Sequence, residues 1–530
     1  MAGRLGPAPP DRHTGPGTIG GRIMKNTRKG DSTGAVDHRR RELLAAAAAA
    51  AATFALPGCG GNGTLTATGG ALPGDAQPAS SGLPAPEVSG IDHVVVVMME
   101  NRSFDHYLGW VPGAEGRQAG TTLTGSDGKS YTSFDLAPQF QNCNLADPDH
   151  SYTGGRIQIN GGAMNGFLLT QPPGDAFPIG YYTADSLPFF KGCAAHWTIC
   201  DHYHSGILSS TTPNRIYMHA GQTDRLSNTT DLSTLPTVWD RMLEKGRSVA
   251  YYYVDDAYVA FWGDKYKPFS HKYSMATFAA DIATQPLPEL MYIDNVSATF
   301  NELLGVSRDD HPYADVRDGQ AFLNEIYNNL RASPDWERTL LIINYDEGGG
   351  FYDHVMPPLA PVSAAEQALG NDGRLGGRVP CVLIGPRARR GYVAHTQFDP
   401  NSILNFLAWR FGFKPLGVRV DSANLALALD FDNPPDASTP AFDVSTGPFG
   451  GICLPTGIIG GADNPLFRIP LPPLPLPLNV PLPIKNLLPP IPGLDVPSGS
   501  SFPVFATAQR RTDHEQELSA LHNLGQQFGF

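Results

Sequence analysis

The 530-residue chain is poor in charge, poor in cysteine and without a long apolar run. Charged residues make up 17% of it, below the roughly 25% usual in globular domains. Yet 41% are hydrophobic, so a large core is within reach and disorder of the whole chain is excluded. A basic excess is also lacking, since 38 Lys and Arg face 51 Asp and Glu. The first 59 residues hold nine of the basic and four of the acidic side chains, which leaves 29 against 47 beyond them. So acidic a remainder argues against non-specific nucleic-acid binding and against electrostatic docking on anionic lipid. Cysteines and histidines nowhere take up the spacing of a structural zinc site. The alanine-rich stretch from Leu43 to Leu56 has 14 residues, short of the roughly 20 that cross a bilayer as a helix.

That stretch reads instead as part of an export signal. Arg39-Arg40-Arg41 precede it in the manner of a twin-arginine signal, which carries proteins already folded and often already metal-loaded. Leu56-Pro57-Gly58-Cys59 then resembles a bacterial lipobox. Cys59 is therefore expected to be the acylated first residue of an exported lipoprotein of the cell envelope, with secretion after ordinary cleavage as the alternative. A basic segment follows Met24 directly, which makes Met24 rather than Met1 the expected start. The signal region is thus 1–59, and 60–88, rich in Gly, Ala, Ser, Thr and Pro, is a flexible linker. Five cysteines remain, Cys143, Cys193, Cys200, Cys381 and Cys453, enough for at most two internal disulfides. Cys381 sits in the apolar run Val379 to Ile384 and is expected to be a buried thiol.

From 89 to 445, apolar runs suited to buried strands alternate with helical patterns. Ile91 to Met98, Ser248 to Val254, Thr339 to Asn344 and Val379 to Ile384 are expected strands. Phe322, Leu323, Ile326, Tyr327 and Leu330 keep helical spacing and stop before Ser333-Pro334, and Ile403, Leu404, Phe406, Leu407 and Phe411 mark a second helix. The alternation predicts an α/β fold with a mainly parallel sheet sandwiched between helices. In such sheets the chemistry lies beyond the carboxyl ends of the strands.

Two of those ends are loaded with polar groups. The first strand runs into Glu100-Asn101-Arg102-Ser103-Phe104-Asp105-His106, and the strand from Thr339 runs into Asp346-Glu347-Gly348-Gly349-Gly350-Phe351-Tyr352-Asp353-His354. Glu100, Asn101, Asp346 and Glu347 would bring three carboxylates and one amide oxygen to one spot, a donor set for a hard divalent cation. The bland alternative is a set of loop polars and helix caps. A third segment, Ser209-Ser210-Thr211-Thr212-Pro213-Asn214-Arg215, can hold a hydroxyl at a turn before a helix, where a metal and backbone amides would activate it.

Taken together, the segments from Ile91 to Tyr107, from Thr211 to Arg215 and from Asp346 to Val355 resemble the motifs of the bacterial phosphoesterase family of phospholipases C and acid phosphatases, of alkaline-phosphatase-like fold. Asp309-Asp310-His311-Pro312 with Gly319-Gln320 is similar to a fourth family element, and the resemblance covers roughly 89 to 415. In size the chain is nearest the shorter, mycobacterial-type phospholipases C. The resemblance implies one divalent metal ion held by Glu100, Asn101, Asp346 and Glu347, Thr211 as nucleophile, and His150 and His311 facing the phosphate, with His311 as general acid for the leaving alcohol. His106, His204 and His354 are left as structural or as supports for the residues that bind. Ser209-Ser210 stand where the family has Gly-Pro, so Thr212 and Ser210 compete with Thr211, and the register against Pro213-Asn214-Arg215 selects Thr211, with Thr212 expected to point elsewhere. The implied reaction is phospholipase C hydrolysis of phospholipid to diacylglycerol. Acid phosphatase action on phosphomonoesters is the alternative, and an inactive envelope-anchored binding protein a more distant one.

The end of the chain is different in kind. Twelve prolines fall between 465 and 497, so the segment 446–500 is expected to be a Pro-rich spacer in extended conformation. Within 501–530, Leu518, Leu521, Leu524 and Phe528 give a helix one apolar face, enough to dock but not to span a membrane.

Overall fold

In the computed structural model, residues 82–284, 286–295, 299–454, 457–459 and 503–530 are described. The signal region, most of the linker and the proline-dense part of the spacer lie outside them. The centre is one eight-stranded sheet. Its strands are β1 (His93–Met99), β2 (Thr198–Cys200), β3 (Val249–Tyr253), β4 (Ser270–Lys272), β5 (Leu290–Asp294), β6 (Thr339–Tyr345), β7 (Cys381–Ile384) and β8 (Tyr392–Ala394). They lie in the order β8-β2-β7-β6-β1-β5-β3-β4. Every pairing is parallel except those of β7, which runs antiparallel to both β6 and β2. The fold is thus α/β with a mixed, mostly parallel sheet flanked by helices, as expected, although the predicted fourth strand turns out to be the one antiparallel member.

The three central strands are continuous apolar runs because both their faces are covered: Val94 to Met99, Leu290 to Ile293 and Leu340 to Ile343 are all buried. Helix α1 (Phe104–Leu108) follows β1, capped by the Ser103 hydroxyl, which accepts from the His106 amide at 3.3 Å. Helix α2 is Thr211–Ala220, α3 Val316–Arg331, α4 Pro400–Phe411 and α5 Pro503–Phe528. The predicted stripe on α3, Phe322, Leu323, Ile326, Tyr327 and Leu330, is buried along its whole length, and each such side chain is worth about 1.5–3 kcal/mol of transfer free energy. The α4 stripe is buried likewise, behind a capping box built on Asp399 and Ser402. No helix among the described residues is long and apolar enough to cross a membrane.

Cys143 and Cys453 form a disulfide across 310 residues, tying the segment after 446 to the loop before the His150 turn. Cys193, Cys200 and Cys381 are buried thiols, in line with the expectation for Cys381.

Candidate active site

Register builds the site. Met99 of β1 stands opposite Tyr345 of β6, and Met98 stands opposite Asp294 of β5, so three strands end level with one another. The residues just beyond, Glu100 and Asp346, with Asp294 at the end of its strand, therefore meet. Between them lies Arg215 from α2, fully buried. Its guanidinium donates to Glu100 at 3.0 Å and to Asp294 at 3.2 Å, and its Nε is 3.6 Å from Asp346. Its face lies over the Tyr258 ring, 4.7 Å from the centroid. Asp294 also accepts from the Tyr251 hydroxyl at 2.5 Å.

Asn101 takes a left-handed conformation, φ 56°, which lets its amide turn inward and donate to Asp346 Oδ1 at 3.1 Å. The Glu347 amide donates to the same oxygen at 2.7 Å. Gly349, at φ 60°, closes this corner, because a Cβ there would meet the Asn101 carbonyl oxygen at 2.3 Å. Gly348 has space instead, with nothing nearer its missing Cβ than Ser103 at 3.7 Å.

The expected nucleophile turn is held by Asn214. Its side chain accepts from the Ile207 amide at 2.9 Å and donates to the carbonyls of Ser209 and Ser210 at 2.9 and 3.0 Å. Thr211 is the first residue of α2, where the backbone amides of the first turn point outward and favour negative charge. It opens into a cavity of about 550 Å³ that it shares with Glu100 and His150. Thr212 lines the same cavity, so the expectation that it points elsewhere is corrected: two successive residues at a helix start flare to the same opening.

His150 bridges the parts. Its Nδ1 is 2.8 Å from the Pro148 carbonyl, and its Nε2 is 3.8 Å from Glu347 Oε1. Burial alone would lower the imidazole, but Glu347, Asp147 and Glu517 outweigh it and push it up to about 10. Burial pushes the Glu347 carboxyl up to about 8, with His150 pulling it down. His311 stands behind His150, ring centroids 6.3 Å apart, with Nδ1 3.5 Å from Glu302 and Nε2 3.9 Å from Asp147. It is fully buried and lies off the cavity wall, so the expectation that it faces the phosphate as general acid is corrected: His150 stands between it and the cavity.

The donor set suits a cation. The side chain of Asn101, Oδ2 of Asp346 and Oε1 of Glu347 are buried and take part in no hydrogen bond. Around them four carboxylates, Glu100, Asp294, Asp346 and Glu347, face the guanidinium of Arg215 and the imidazoles of His150, 3.8 Å from Glu347, and His219, 3.7 Å from Asp294. Buried acceptor oxygens that receive no hydrogen bond are what a hard divalent ion satisfies. Asp147, His150 and His311 form a neighbouring group whose ligand atoms lie within 4.8 Å of one another.

His106, His204 and His354 are each held by neighbouring groups. His106 is locked by the Gly180 carbonyl at 2.8 Å and by Arg102, and burial holds it well below the usual imidazole range. His204 is held down to about 4 by burial. His354 binds Asp105 at 2.6 Å. Sequence reasoning missed Arg215 as a charge centre and Asp294 altogether. The signal for Asp294 was present, since the apolar run Leu290 to Ile293 ends in Asp294-Asn295 as the other two strands end in their acidic pairs.

Comparison with known proteins bears on the same residues. A family model described as the Phosphoesterase family matches residues 91–414. Non-specific phospholipase C3 of Arabidopsis thaliana is 32% identical over 358 residues, 60% of this chain and 67% of the plant protein. Phospholipase C A of Mycobacterium tuberculosis is 28% identical over 465 residues, 73% of this chain and 87% of the mycobacterial one. Among solved structures, the phosphonate monoester hydrolase of Agrobacterium radiobacter aligns over 65% of this chain and 78% of that one, at 11% identity and a TM-score of 0.35. The family match spans more than half of the chain and takes in both acidic strand ends and the Thr211 turn, so the chain belongs to the Phosphoesterase family and is a phosphoric ester hydrolase.

Proposed function

We propose that the chain is a metal-dependent phospholipase C that works through a covalent intermediate on Thr211. The observation that carries this reading is one cavity shared by Thr211, Glu100 and His150, beside buried oxygens of Asn101, Asp346 and Glu347 that accept no hydrogen bond. Glu100, Asn101, Asp346 and Glu347 would hold one divalent ion, which when bound supplies positive charge for the threonine oxygen and the phosphoryl oxygens. Thr211, its hydroxyl proton passed to solvent, attacks phosphorus in line with the leaving alcohol, forming its O–P bond as the bond to diacylglycerol breaks. The amides at the start of α2 favour the charge that develops there. His150, on the cavity wall, gives the leaving alkoxide its proton, and His311 supports it from behind through Asp147. Water then cleaves the Thr211–phosphoryl bond and frees the phosphorylated head group.

The likeness to proteins named phospholipase C favours a diester over a phosphomonoester substrate. Export as a lipoprotein anchored through Cys59 would bring the site to membrane lipid, and a Cys59→Ser chain should leave the envelope fraction for the soluble one. The test of the reaction is acid-quenched turnover of p-nitrophenylphosphorylcholine beside p-nitrophenyl phosphate. A peptide carrying phosphorylcholine on Thr211, and preference for the diester, are expected. Turnover with no covalent adduct, or turnover of the monoester alone, would overturn the reading.

A further inference from the structure

The cavity that holds Thr211 has a wall from the far end of the chain. Helix α5 packs against the turn Tyr258–Trp262, and its Leu518, Leu521 and Leu524 are buried. Polar contacts hold it in place: Asn228 donates to Glu517 at 2.8 Å, and His522 lies 2.9 Å from Asp256. The Phe530 ring stands 6.0 Å from that of Tyr253. Leu518 and Leu521, three residues apart and so on one helical face, line the same cavity as Thr211, Glu100 and His150. Leu524 belongs to the same docked seam without lining it.

We propose that α5 is a wall of the active site and that Leu518 and Leu521 are specificity-determining residues, which receive the apolar part of a phosphoester whose phosphoryl group lies at Thr211. From α5 the cavity takes the apolar side chains of Leu518, Ala520 and Leu521 beside the exposed Gln516 and Glu517, and Tyr258 and Phe261 add apolar surface next to them. A site of this build discriminates by what it buries: an ester with an apolar substituent removes both its own surface and the leucines from water, whereas a polar one of equal size does not. The inference rests on the phosphoester reading above, but not on whether the ester is a diester or a monoester.

The test uses the full chain with Leu518→Ala, Leu521→Ala and, as control for docking of the helix, Leu524→Ala. Two ester pairs differ only in the alcohol: dihexanoylphosphatidylcholine with glycerophosphocholine, and hexyl phosphate with glycerol phosphate. KM is read where turnover occurs and Kd by calorimetry where it does not. For the ester class that the parent chain takes, Leu518→Ala and Leu521→Ala should weaken the apolar member by about fivefold or more relative to the polar member, with kcat moving far less. Leu524→Ala should give no such split. Equal weakening of both members, the same split in Leu524→Ala, or faster turnover of both would overturn the proposal, the last by making α5 an obstruction. A split seen only with the monoester pair would defeat the phospholipase reading and leave the wall standing.

Discussion

The loops after β1 and β6 build two buried arginine-centred clusters, and the two are finished differently. Around Arg378, Nε and Nη2 donate to Asp353 at 2.9 and 3.1 Å, Nη2 to Asp105 at 3.1 Å, and Nη1 to the carbonyls of Glu115 and Asp201 at 2.7 and 3.0 Å. Asp105 and Asp353 also accept from the amides of Arg117, His354 and Val355. Around Arg215 the guanidinium Nε makes no hydrogen bond, and oxygens of Asn101, Asp346 and Glu347 accept none. The saturated cluster is a fastening between two loops. The unsaturated one has donors and acceptors to spare, which costs stability and is tolerated where a ligand completes it. Although Asp105, Asp353 and His354 come within 4.8 Å of one another, the guanidinium already takes the place a cation would fill.

Breaking the unsaturated side should change chemistry before stability. Thr211→Ala is expected to lower turnover by about three orders of magnitude with little change in melting temperature, while Thr211→Ser keeps part of the activity, both read by steady-state kinetics and thermal unfolding. Because Thr212 lines the same cavity, Thr212→Ala is expected to cost up to about tenfold, and a larger loss there than in Thr211→Ala would move the nucleophile by one residue.

Breaking the saturated side should do the reverse. Arg378→Met strands two buried carboxylates and should cost about 3–5 kcal/mol in urea unfolding, with turnover per folded molecule largely kept. Cys453→Ala opens the Cys143 link and is expected to cost about 2–5 kcal/mol.

The smallest effect is a pH dependence. Asp318, on α3, accepts from the amides of Phe449 and Gly450 at 3.0 to 3.1 Å, and burial outweighs these bonds and pushes its carboxyl up to about 6. A folded value above the unfolded one means that its contribution is complete below about pH 4 and lost as pH rises through 6. Unfolding free energy of the parent should therefore fall relative to Asp318→Asn between pH 4 and 6, by at most about 3 kcal/mol. Parallel pH profiles would contradict the assignment.

The strand ends were legible because the apolar runs Val94 to Met99 and Leu340 to Ile343 give way within a few residues to acids, a pattern fixed by burial on both faces. The direction of β7 was not, since Cys381 to Ile384 are equally apolar in either direction and only hydrogen bonding to β6 decides it. Arg215 was read as a register mark for the turn; its role as a charge centre depends on three acids from separate strands meeting around it, which no local pattern records. The leucine face of α5 was visible from its spacing, but where that face docks depends on packing with the Tyr258–Trp262 turn, far from it in sequence.

The contrast between the two clusters is tested most directly by elemental analysis of the parent chain, Asp346→Asn and Asp353→Asn, each shown to be folded by circular dichroism. The parent and Asp353→Asn should each carry about one divalent ion per chain, and Asp346→Asn should carry none and hydrolyse no phosphoester. Full occupancy in Asp346→Asn, or loss of the ion in folded Asp353→Asn alone, would contradict the account.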